Sequence, residues 1–418
     1  MNKLRILWVD DEIELLKPHI LFLEKKDYEL ETVNNGHDAI DLVREGKFDL
    51  VFLDENMPGI DGLETLKQIS ELKPSLPVVM VTKSEEEHIM EEAIGGQIAD
   101  YLIKPVNPNQ LLLSLKKNLD ERRLVSEKTS MIYQQEFRKI GLEINEIRDW
   151  HAWQDMYKRL VYWELQLEQL DDNSLEEVLM MQKREANNLF SRFIDTHYGD
   201  WMKGEDAPIM SHNLFNRCVF PELDEERSTF LILIDNLRYD QWCVILRELQ
   251  SYYRLEQEQL FSSILPTATQ YARNAMFAGL MPAEIKRRYP DKWKDEGDDE
   301  SKNQFEAEFL KDQLRRAGLG DASFSYHKVV QQQFGKKLVD KVRDLGRNQL
   351  NVIVYNFVDM LSHAKTEMDM IKQLADNDKA YRSLTLSWFK NSALADLVRQ
   401  VAQIGGKLMF TTDHGTIN

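Results

Sequence analysis

Residues 48–62 read FDLVFLDENMPGIDG. The apolar run at 50–53 is short and rich in strand-forming residues, and it ends in Asp54. A Pro and Gly turn follows, and residues 61–72 then carry apolar residues at helical spacing. The stretch therefore predicts a buried strand, a turn that carries an aspartate, and a helix.

The same alternation extends on both sides of this stretch. The runs LRILWVD, LPVVMVT and ADYLI are also short and apolar, and segments with helical periodicity separate them. Alternation of this kind predicts a doubly wound parallel sheet, which we assign to residues 1–120. The fold class expected for this segment is α/β, flavodoxin-like.

Polar side chains gather at the predicted carboxyl ends of these strands, where a parallel sheet forms its crevice. They are Asp10, Asp11, Asp54, Thr82 and Lys104. The three carboxylates suit Mg²⁺, which prefers oxygen ligands. Asp54 could then attack a phosphoryl donor, while Lys104 pairs with the phosphoryl group and Thr82 donates a hydrogen bond to it. Any one of these residues alone would be read as a solvated surface group.

This segment resembles the receiver domain of bacterial response regulators. The resemblance implies that Asp54 accepts the phosphoryl group, that the carbonyl of Asn56 also binds Mg²⁺, and that Tyr101 is the aromatic switch residue. By itself Tyr101 would more often be read as plain packing. The resemblance also implies phosphorylation by a histidine kinase, followed by a rearrangement or dimerisation.

Residues 121–222 differ in character, with few Gly and Pro residues and apolar residues three and four apart. We expect a central helical bundle there, whose Trp and Tyr residues between 150 and 163 lie in the core or in an interface.

From residue 223 to 418 the α/β pattern returns. The strand-like runs STFLILID, NVIVYNFVD and GGKLMFTTD each end in an aspartate. These aspartates are Asp235, Asp359 and Asp413, with His363 and His414 close behind. Alone, each would be read as a helix cap or a surface residue, but together they predict a metal centre of mixed oxygen and nitrogen ligands, which suits zinc or manganese.

Thr269 follows the sequence PTA and precedes a helical stretch, a position that often caps a helix. A metal-bound threonine hydroxyl can also act as a nucleophile, and we predict Thr269 between two metals, attacking phosphorus. The acidic stretch 289–307 is interpreted as an exposed insertion or lid.

The third segment resembles the alkaline phosphatase superfamily, and more narrowly the PglZ domain, in LILIDNLRYDQW and PTATQYARNAMFAG. The resemblance implies two zinc ions, one bound by Asp235, Thr269, Asp413 and His414, the other by Asp359 and His363. The superfamily supplies a further histidine downstream of the Asp-His-Gly motif, and this chain stops at Asn418. We therefore expect a metal domain that is incomplete at its C-terminus.

Formal charge is −18 (53 − 71), which argues against non-specific nucleic-acid binding and against anionic membranes. The start shows no signal-peptide pattern and no stretch has the ~18 apolar residues that span a bilayer, so a cytoplasmic location is expected. Cys218 and Cys243 lie in no paired motif and suit buried, reduced thiols.

In its order of segments the whole chain resembles the PorX-type response regulators, which are linked to type IX secretion. That resemblance implies a sensor kinase of the PorY type, an alternative sigma factor as partner, a phosphorylation-dependent homodimer, and phosphodiesterase activity on nucleotides or oligonucleotides. Two alternatives stay open. One is a signalling protein whose metal domain is degenerate or truncated. The other is a transcription factor that binds DNA directly, which the charge and the absence of a basic reader helix disfavour.

Overall fold

The computed structural model describes residues 3–83, 98–170, 173–294, 303–367, 375 and 377–415. The chain forms two compact units, one of Met1–Ile140 with Gln166–Val178, the other of Gly141–Leu165 with Leu179–Asn418. This division runs through the helical segment, so the boundaries at 120 and 222 stay a prediction. Within the described residues, no helix combines the length and apolarity needed to cross a bilayer.

The first unit contains a parallel five-stranded sheet of order β2-β1-β3-β4-β5. This is the flavodoxin-like order, which confirms the predicted fold class. Its strands are β1 (Leu4–Val9), β2 (Tyr28–Val33), β3 (Leu50–Asp54), β4 (Val78–Thr82) and β5 (Asp100–Ile103). Helices α1 (Lys17–Glu24), α2 (Gly36–Glu45) and α3 (Gly62–Leu72) connect them.

The central strand β3 is buried on both faces, because its side chains alternate between two apolar clusters. Leu50 and Phe52 join the cluster that includes Leu23 of α1, while Val51 and Leu53 join the one that α2 and α3 complete. Helix α3 starts directly against the end of β3. A Cβ atom at Gly62 would lie 2.3 Å from the carbonyl oxygen of Asp54, so only glycine permits this approach.

Three long helices follow, as the sequence predicts: α4 (Pro108–Glu143), α5 (Trp150–Leu167) and α6 (Asn173–Trp201). Within the second unit, the rings of Trp150 and Trp153 pack against Phe190 of α6. Trp153 and Trp163 are buried, whereas Tyr157 and Tyr162 are 42% and 55% exposed. The tryptophans are thus core residues, and the tyrosines keep an exposed edge.

The second unit contains a parallel four-stranded sheet of order β7-β8-β6-β9. Its strands are β6 (Thr229–Ile234), β7 (Phe324–Val329), β8 (Leu350–Tyr355) and β9 (Lys407–Thr411). Its helices are α7 (Tyr239–Leu249), α8 (Thr269–Ala278), α9 (Pro282–Arg288), α10 (Glu306–Arg316), α11 (Gln332–Asp340), α12 (Val342–Leu345), α13 (Phe357–Glu367), α14 (Asp378–Asn391) and α15 (Ala393–Gln403).

Strand β6 organises this sheet, since β8 and β9 flank it and all six of its residues are buried. Phe230 and Ile232 pack on the side of α7, α14 and α15, and Leu231 and Leu233 pack on the side of α8 and α10. The carboxyl ends of β6, β8 and β9 therefore meet at one edge of the sheet. In open parallel sheets this edge is where ligands bind.

Candidate functional sites in the two sheets

The first site lies at the carboxyl end of the five-stranded sheet. Asp10 and Asp11 follow β1, Asp54 ends β3, and each offers a carboxylate oxygen within 4.8 Å of the other two. Lys104, which follows β5, places its Nζ 2.8 Å from Asp10 Oδ2 and 3.0 Å from Asp54 Oδ2. The structure thus brings four predicted residues together in one pocket.

Burial raises the pKa of Asp54, and the negative charges of Asp10 and Asp11 add to the increase, while Lys104 opposes it. A divalent cation here would relieve the repulsion among the three carboxylates. The cluster therefore has the charge and the oxygen donors that suit Mg²⁺.

The three other predicted receiver residues lie around this pocket. Thr82 ends β4, is buried, and its hydroxyl donates to the carboxylate of Glu55. Asn56 is exposed in the loop after β3. Tyr101 lies in β5, half-buried against the apolar cluster of α2 and α3. Sequence reasoning did not anticipate the contact between Thr82 and Glu55.

The second site lies at the carboxyl end of the four-stranded sheet. Asp235 follows β6, Asp413 and His414 follow β9, and their ligand atoms all lie within 4.8 Å of one another. Neighbouring strands explain this convergence, because β6 and β9 pair from Thr229 with Lys407 to Leu233 with Thr411. In the part of the chain that the structure describes, this trio and the three aspartates of the first site are the two groupings of this type.

Asp413 is fully buried, and only one of its carboxylate oxygens has a hydrogen-bond partner among the described residues. Its Oδ1 accepts from the backbone N–H of Asn236 at 3.2 Å and from that of His414 at 3.0 Å. Asn236 itself adopts the left-handed conformation (φ 65°), which asparagine tolerates well. Oδ2 has no hydrogen-bond partner among the described residues, and Arg273 Nη1 lies 3.9 Å from it, beyond hydrogen-bond distance. A buried carboxylate oxygen in this state is costly unless a cation completes it.

Burial, with the negative charge of Asp235, raises the pKa of Asp413 to about 7, against the opposing effect of Arg273. His414 has its ring oriented for binding. Its Nδ1 lies 3.1 Å from the carbonyl of Gly415, which places the proton on Nδ1 and leaves the lone pair on Nε2. That lone pair faces Asp235, whose Oδ1 lies 4.0 Å away. A neutral imidazole nitrogen and two carboxylates fit a zinc-type cation.

Thr269 is the first residue of α8, and its hydroxyl points into this trio. Its Oγ1 lies 2.9 Å from His414 Nε2 and 3.4 Å from Asp235 Oδ1. The hydroxyl therefore lies at the amino end of a helix, where backbone N–H groups favour an anion. The arrangement can hold a nucleophilic oxygen beside a cation and next to a place for a phosphate.

Asp359 and His363 lie one turn apart in α13, as the spacing predicts, with 3.6 Å between Asp359 Oδ1 and His363 Nε2. No third carboxylate, thiolate or imidazole of the described residues lies within 4.8 Å of both. Asp359 is 23% exposed and His363 is 69% exposed. Burial and the charge of Asp235 raise the pKa of Asp359, so the pair borders the trio without joining it.

A buried arginine, whose direction the sequence alone does not give, lies beside the trio. Arg273 is 1% exposed, and its Nη1 donates to Asp235 Oδ2 at 2.7 Å while its Nε donates to Glu306 Oε1 at 2.6 Å. Asn356, which follows β8, also donates to Asp235 Oδ2, at 3.1 Å. The available signal was the spacing of Arg273, four residues after Thr269 and thus on the same face of α8.

Glu306 also corrects the interpretation of 289–307 as exposed. It begins α10 and is 1% exposed, so this end of the stretch belongs to the interior. Residues 295–302 lie outside the described residues.

Three family models match the chain. Residues 6–116 match the response regulator receiver domain, residues 123–202 match the PorX response regulator linker domain, and residues 214–418 match the BREX system PglZ alkaline phosphatase-like domain.

Several curated proteins are similar over part of the chain. The transcriptional regulatory protein ResD of Bacillus subtilis (strain 168) is 36% identical over 115 residues, which cover 28% of this chain and 48% of ResD. The transcriptional regulatory protein ZraR of Klebsiella oxytoca is 36% identical over 136 residues, 32% of this chain and 31% of ZraR. The chain thus spans less than half the length of these relatives.

Solved receiver structures are similar to the same limited extent. A CheY-like receiver domain protein from Methanospirillum hungatei JF-1 is 30% identical, covers 28% of this chain and 95% of its own, and has a TM-score of 0.28. Chemotaxis protein CheY4 of Vibrio cholerae is 28% identical, and the match covers 28% of this chain and 99% of CheY4, with a TM-score of 0.27.

Proposed function

The chain has the domain set of a PorX-type response regulator, with a receiver domain, the PorX linker domain and an alkaline phosphatase-like PglZ domain, and from this premise we propose that phosphorylation of its receiver controls metal-dependent phosphodiester hydrolysis by its PglZ domain. The observation that carries the proposal is the position of the Thr269 hydroxyl, 2.9 Å from His414 Nε2 and inside the trio that Asp235 and Asp413 complete.

The proposed centre takes two zinc ions. Asp235, Asp413, His414 and the hydroxyl of Thr269 hold the first, which the partnerless Oδ2 of buried Asp413 supports. Asp359 and His363, whose ligand atoms lie 3.6 Å apart, would hold the second. Bound zinc supplies Lewis-acid stabilisation of the attacking and leaving oxygens.

The residues of the chain then perform the transfer. Thr269 Oγ1 attacks phosphorus, the Oγ1–P bond forms, and the bond from phosphorus to the leaving alcohol oxygen breaks. The hydroxyl proton would pass to solvent water, and the leaving alcohol oxygen would take a proton from water. The N–H groups at the start of α8 stabilise the phosphoryl oxygens, and water then cleaves the Oγ1–P bond, which frees a phosphate monoester and restores the hydroxyl. We propose nucleotide or oligonucleotide diesters as substrates.

In the receiver, Asp54 accepts the phosphoryl group with Mg²⁺ bound by Asp10, Asp11, Asp54 and the Asn56 carbonyl. Lys104 already contacts Asp54 and pairs with the phosphoryl oxygens, which requires no large movement. Thr82 must leave Glu55 to reach the same group, and Tyr101 follows this change. A sensor histidine kinase of the PorY type donates the phosphoryl group.

The remaining parts of the proposal rest on the resemblance to PorX-type regulators. They are phosphorylation-dependent dimerisation, contact with an alternative sigma factor, control of type IX secretion and a cytoplasmic location.

A second candidate function is a signalling protein whose metal domain is degenerate and whose output is protein contact. One observation favours it: His363 is 69% exposed and stands apart from the trio.

Hydrolysis of bis-p-nitrophenyl phosphate by the zinc-loaded chain separates the two candidates. We expect turnover in the wild type, turnover at background in Thr269→Val, and unchanged turnover in Thr267→Val, an exposed residue of the same loop. Activity that survives Thr269→Val excludes this nucleophile. A zinc-loaded chain that cleaves no diester at any pH, yet binds a protein partner, favours the signalling function.

A further inference from the structure

The carboxylate of Asp235 is held by two donors on one oxygen. Arg273 Nη1 donates to Oδ2 at 2.7 Å, and Asn356 Nδ2 donates to the same atom at 3.1 Å. The other oxygen, Oδ1, faces Thr269 at 3.4 Å and His414 at 4.0 Å. Asp235 therefore presents one defined oxygen, Oδ1, to Thr269 and His414.

Glu306 holds the guanidinium of Arg273 on the side away from Asp235. Its Nε donates to Glu306 Oε1 at 2.6 Å, and the hydroxyl of Tyr326, in β7, donates to Glu306 Oε2. Arg273 and Glu306 are each 1% exposed. Glu306 neutralises a buried cation, and Tyr326 sets the direction of the Glu306 carboxylate.

Charge and geometry have opposite consequences for a cation at this site. The guanidinium nitrogen Nη1 of Arg273 lies 3.9 Å from Asp413 Oδ2, so its positive charge alone opposes the binding of zinc. Its hydrogen bond to Asp235 favours zinc, because it holds the liganding oxygen in place before the ion arrives. An arginine whose charge were the important property could be replaced by lysine without loss.

We propose that Arg273 is a positioning residue for the zinc ligand Asp235, and that Glu306 and Tyr326 form the second layer that holds Arg273. The inference rests on the proposed zinc centre. Arg273 touches neither substrate nor reacting atoms, and its positioning effect acts through the Asp235 carboxylate.

Zinc affinity tests this role without a turnover assay. We would measure it by competition with a chromogenic chelator for the wild type, Arg273→Lys, Tyr326→Phe, and Arg288→Lys as a control on exposed α9. Arg273→Lys keeps the positive charge and loses the fork geometry, so we expect zinc to bind about 10- to 100-fold more weakly. Tyr326→Phe keeps the partly buried ring, and we expect a smaller loss in zinc affinity. The control should match the wild type.

Cobalt(II) in place of zinc adds a readout that loss of stability alone would not move. We expect Arg273→Lys to change the visible absorption of bound Co²⁺, because the position of Asp235 changes. If Arg273→Lys fails to fold by circular dichroism, Tyr326→Phe carries the test.

The outcomes separate the inference from the function on which it rests. A wild type that binds zinc, with both variants binding equally well, overturns the positioning role and leaves the zinc centre standing. A wild type that binds no zinc overturns both. Weaker binding in Arg273→Lys and Tyr326→Phe, with an altered Co²⁺ spectrum, supports the inference.

Discussion

The hydroxyl oxygen of Thr269 lies 2.9 Å from Nε2 of His414, although 145 residues separate the two along the chain. Thr269 begins α8, and His414 follows β9, the strand that pairs with β6. The contact therefore depends on the parallel sheet, which delivers the end of β9 beside the end of β6. A nucleophile, an imidazole and two carboxylates meet there because β6 and β9 end, and α8 begins, at one edge of the sheet.

Phosphoryl transfer to the receiver should depend on Asp54. The pocket supplies three carboxylates for Mg²⁺ and the paired cation of Lys104, so acetyl phosphate should phosphorylate the wild type in the presence of Mg²⁺. We expect Asp54→Asn to reduce the acid-labile phosphate measured on a phosphate-affinity gel to background. Asp41→Asn, on the exposed face of α2, is the matched control. Equal labelling of Asp54→Asn would place the phosphoryl group elsewhere.

The salt-bridge network around Arg382 should contribute measurably to stability. Arg382 is buried and pairs with Glu164 of α5 at 2.9 Å and with Asp240 of α7. Arg382→Met should lower the free energy of unfolding by about 3 kcal/mol, because two largely buried carboxylates lose their shared cation. This loss of unfolding free energy should stay at the low end of the range for breaking a buried ion pair, since Arg238 still pairs with Asp240 and Lys183 with Glu164.

Urea denaturation followed by circular dichroism measures this change. The control is Arg399→Met, whose partner Asp396 lies on the same exposed helix face, and we expect a change below about 1 kcal/mol. Equal losses in the two variants would refute a special contribution of the buried network.

The metal-free protein should lose stability as the pH rises toward neutrality. The folded-state pKa of Asp413, about 7, lies above its ordinary value of 3.8, so the folded state binds this proton more tightly than the unfolded state. The stability that the proton contributes is fully present below about pH 4 and is lost as the pH rises through about 7. Asp413→Asn cannot ionise and removes this dependence.

Thermal unfolding midpoints, measured in EDTA between pH 4.5 and 8, show whether stability falls or rises with pH. The midpoint of the wild type should fall relative to that of Asp413→Asn as the pH increases. Two curves that stay parallel would contradict a raised pKa at Asp413.

In the second sheet the sequence predicted β6, β8 and β9, because buried parallel strands are short apolar runs followed by polar groups. It did not predict β7, and Asp359 lies in α13 rather than at the end of β8. Asp235, Asp413 and His414 could be found in this way, and so could Thr269. Arg273 could be placed on the helix that Thr269 begins, but its direction could not be predicted. Glu306 could not be found at all, since it reads as an ordinary helix residue until the fold brings it to Arg273, 33 positions away along the chain.

Asp359 and His363 show the limit of spacing as an argument. The i and i+4 relation places the two side chains together, as the structure confirms, but spacing alone does not fix how far α13 stands from the end of β6. That distance depends on packing between elements, which one sequence does not display.

Zinc content per chain is the sharpest test of a metal centre formed by Asp235, Asp413 and His414. Purified, desalted wild type and the double variant Asp413→Ala, His414→Ala would be measured by inductively coupled plasma mass spectrometry, with Asp396→Ala, His151→Ala as an exposed control pair. We expect about two zinc ions in the wild type and in the control, and fewer in the Asp413, His414 variant. No zinc in the wild type, or equal zinc in all three proteins, would contradict a metal centre at this edge of the sheet.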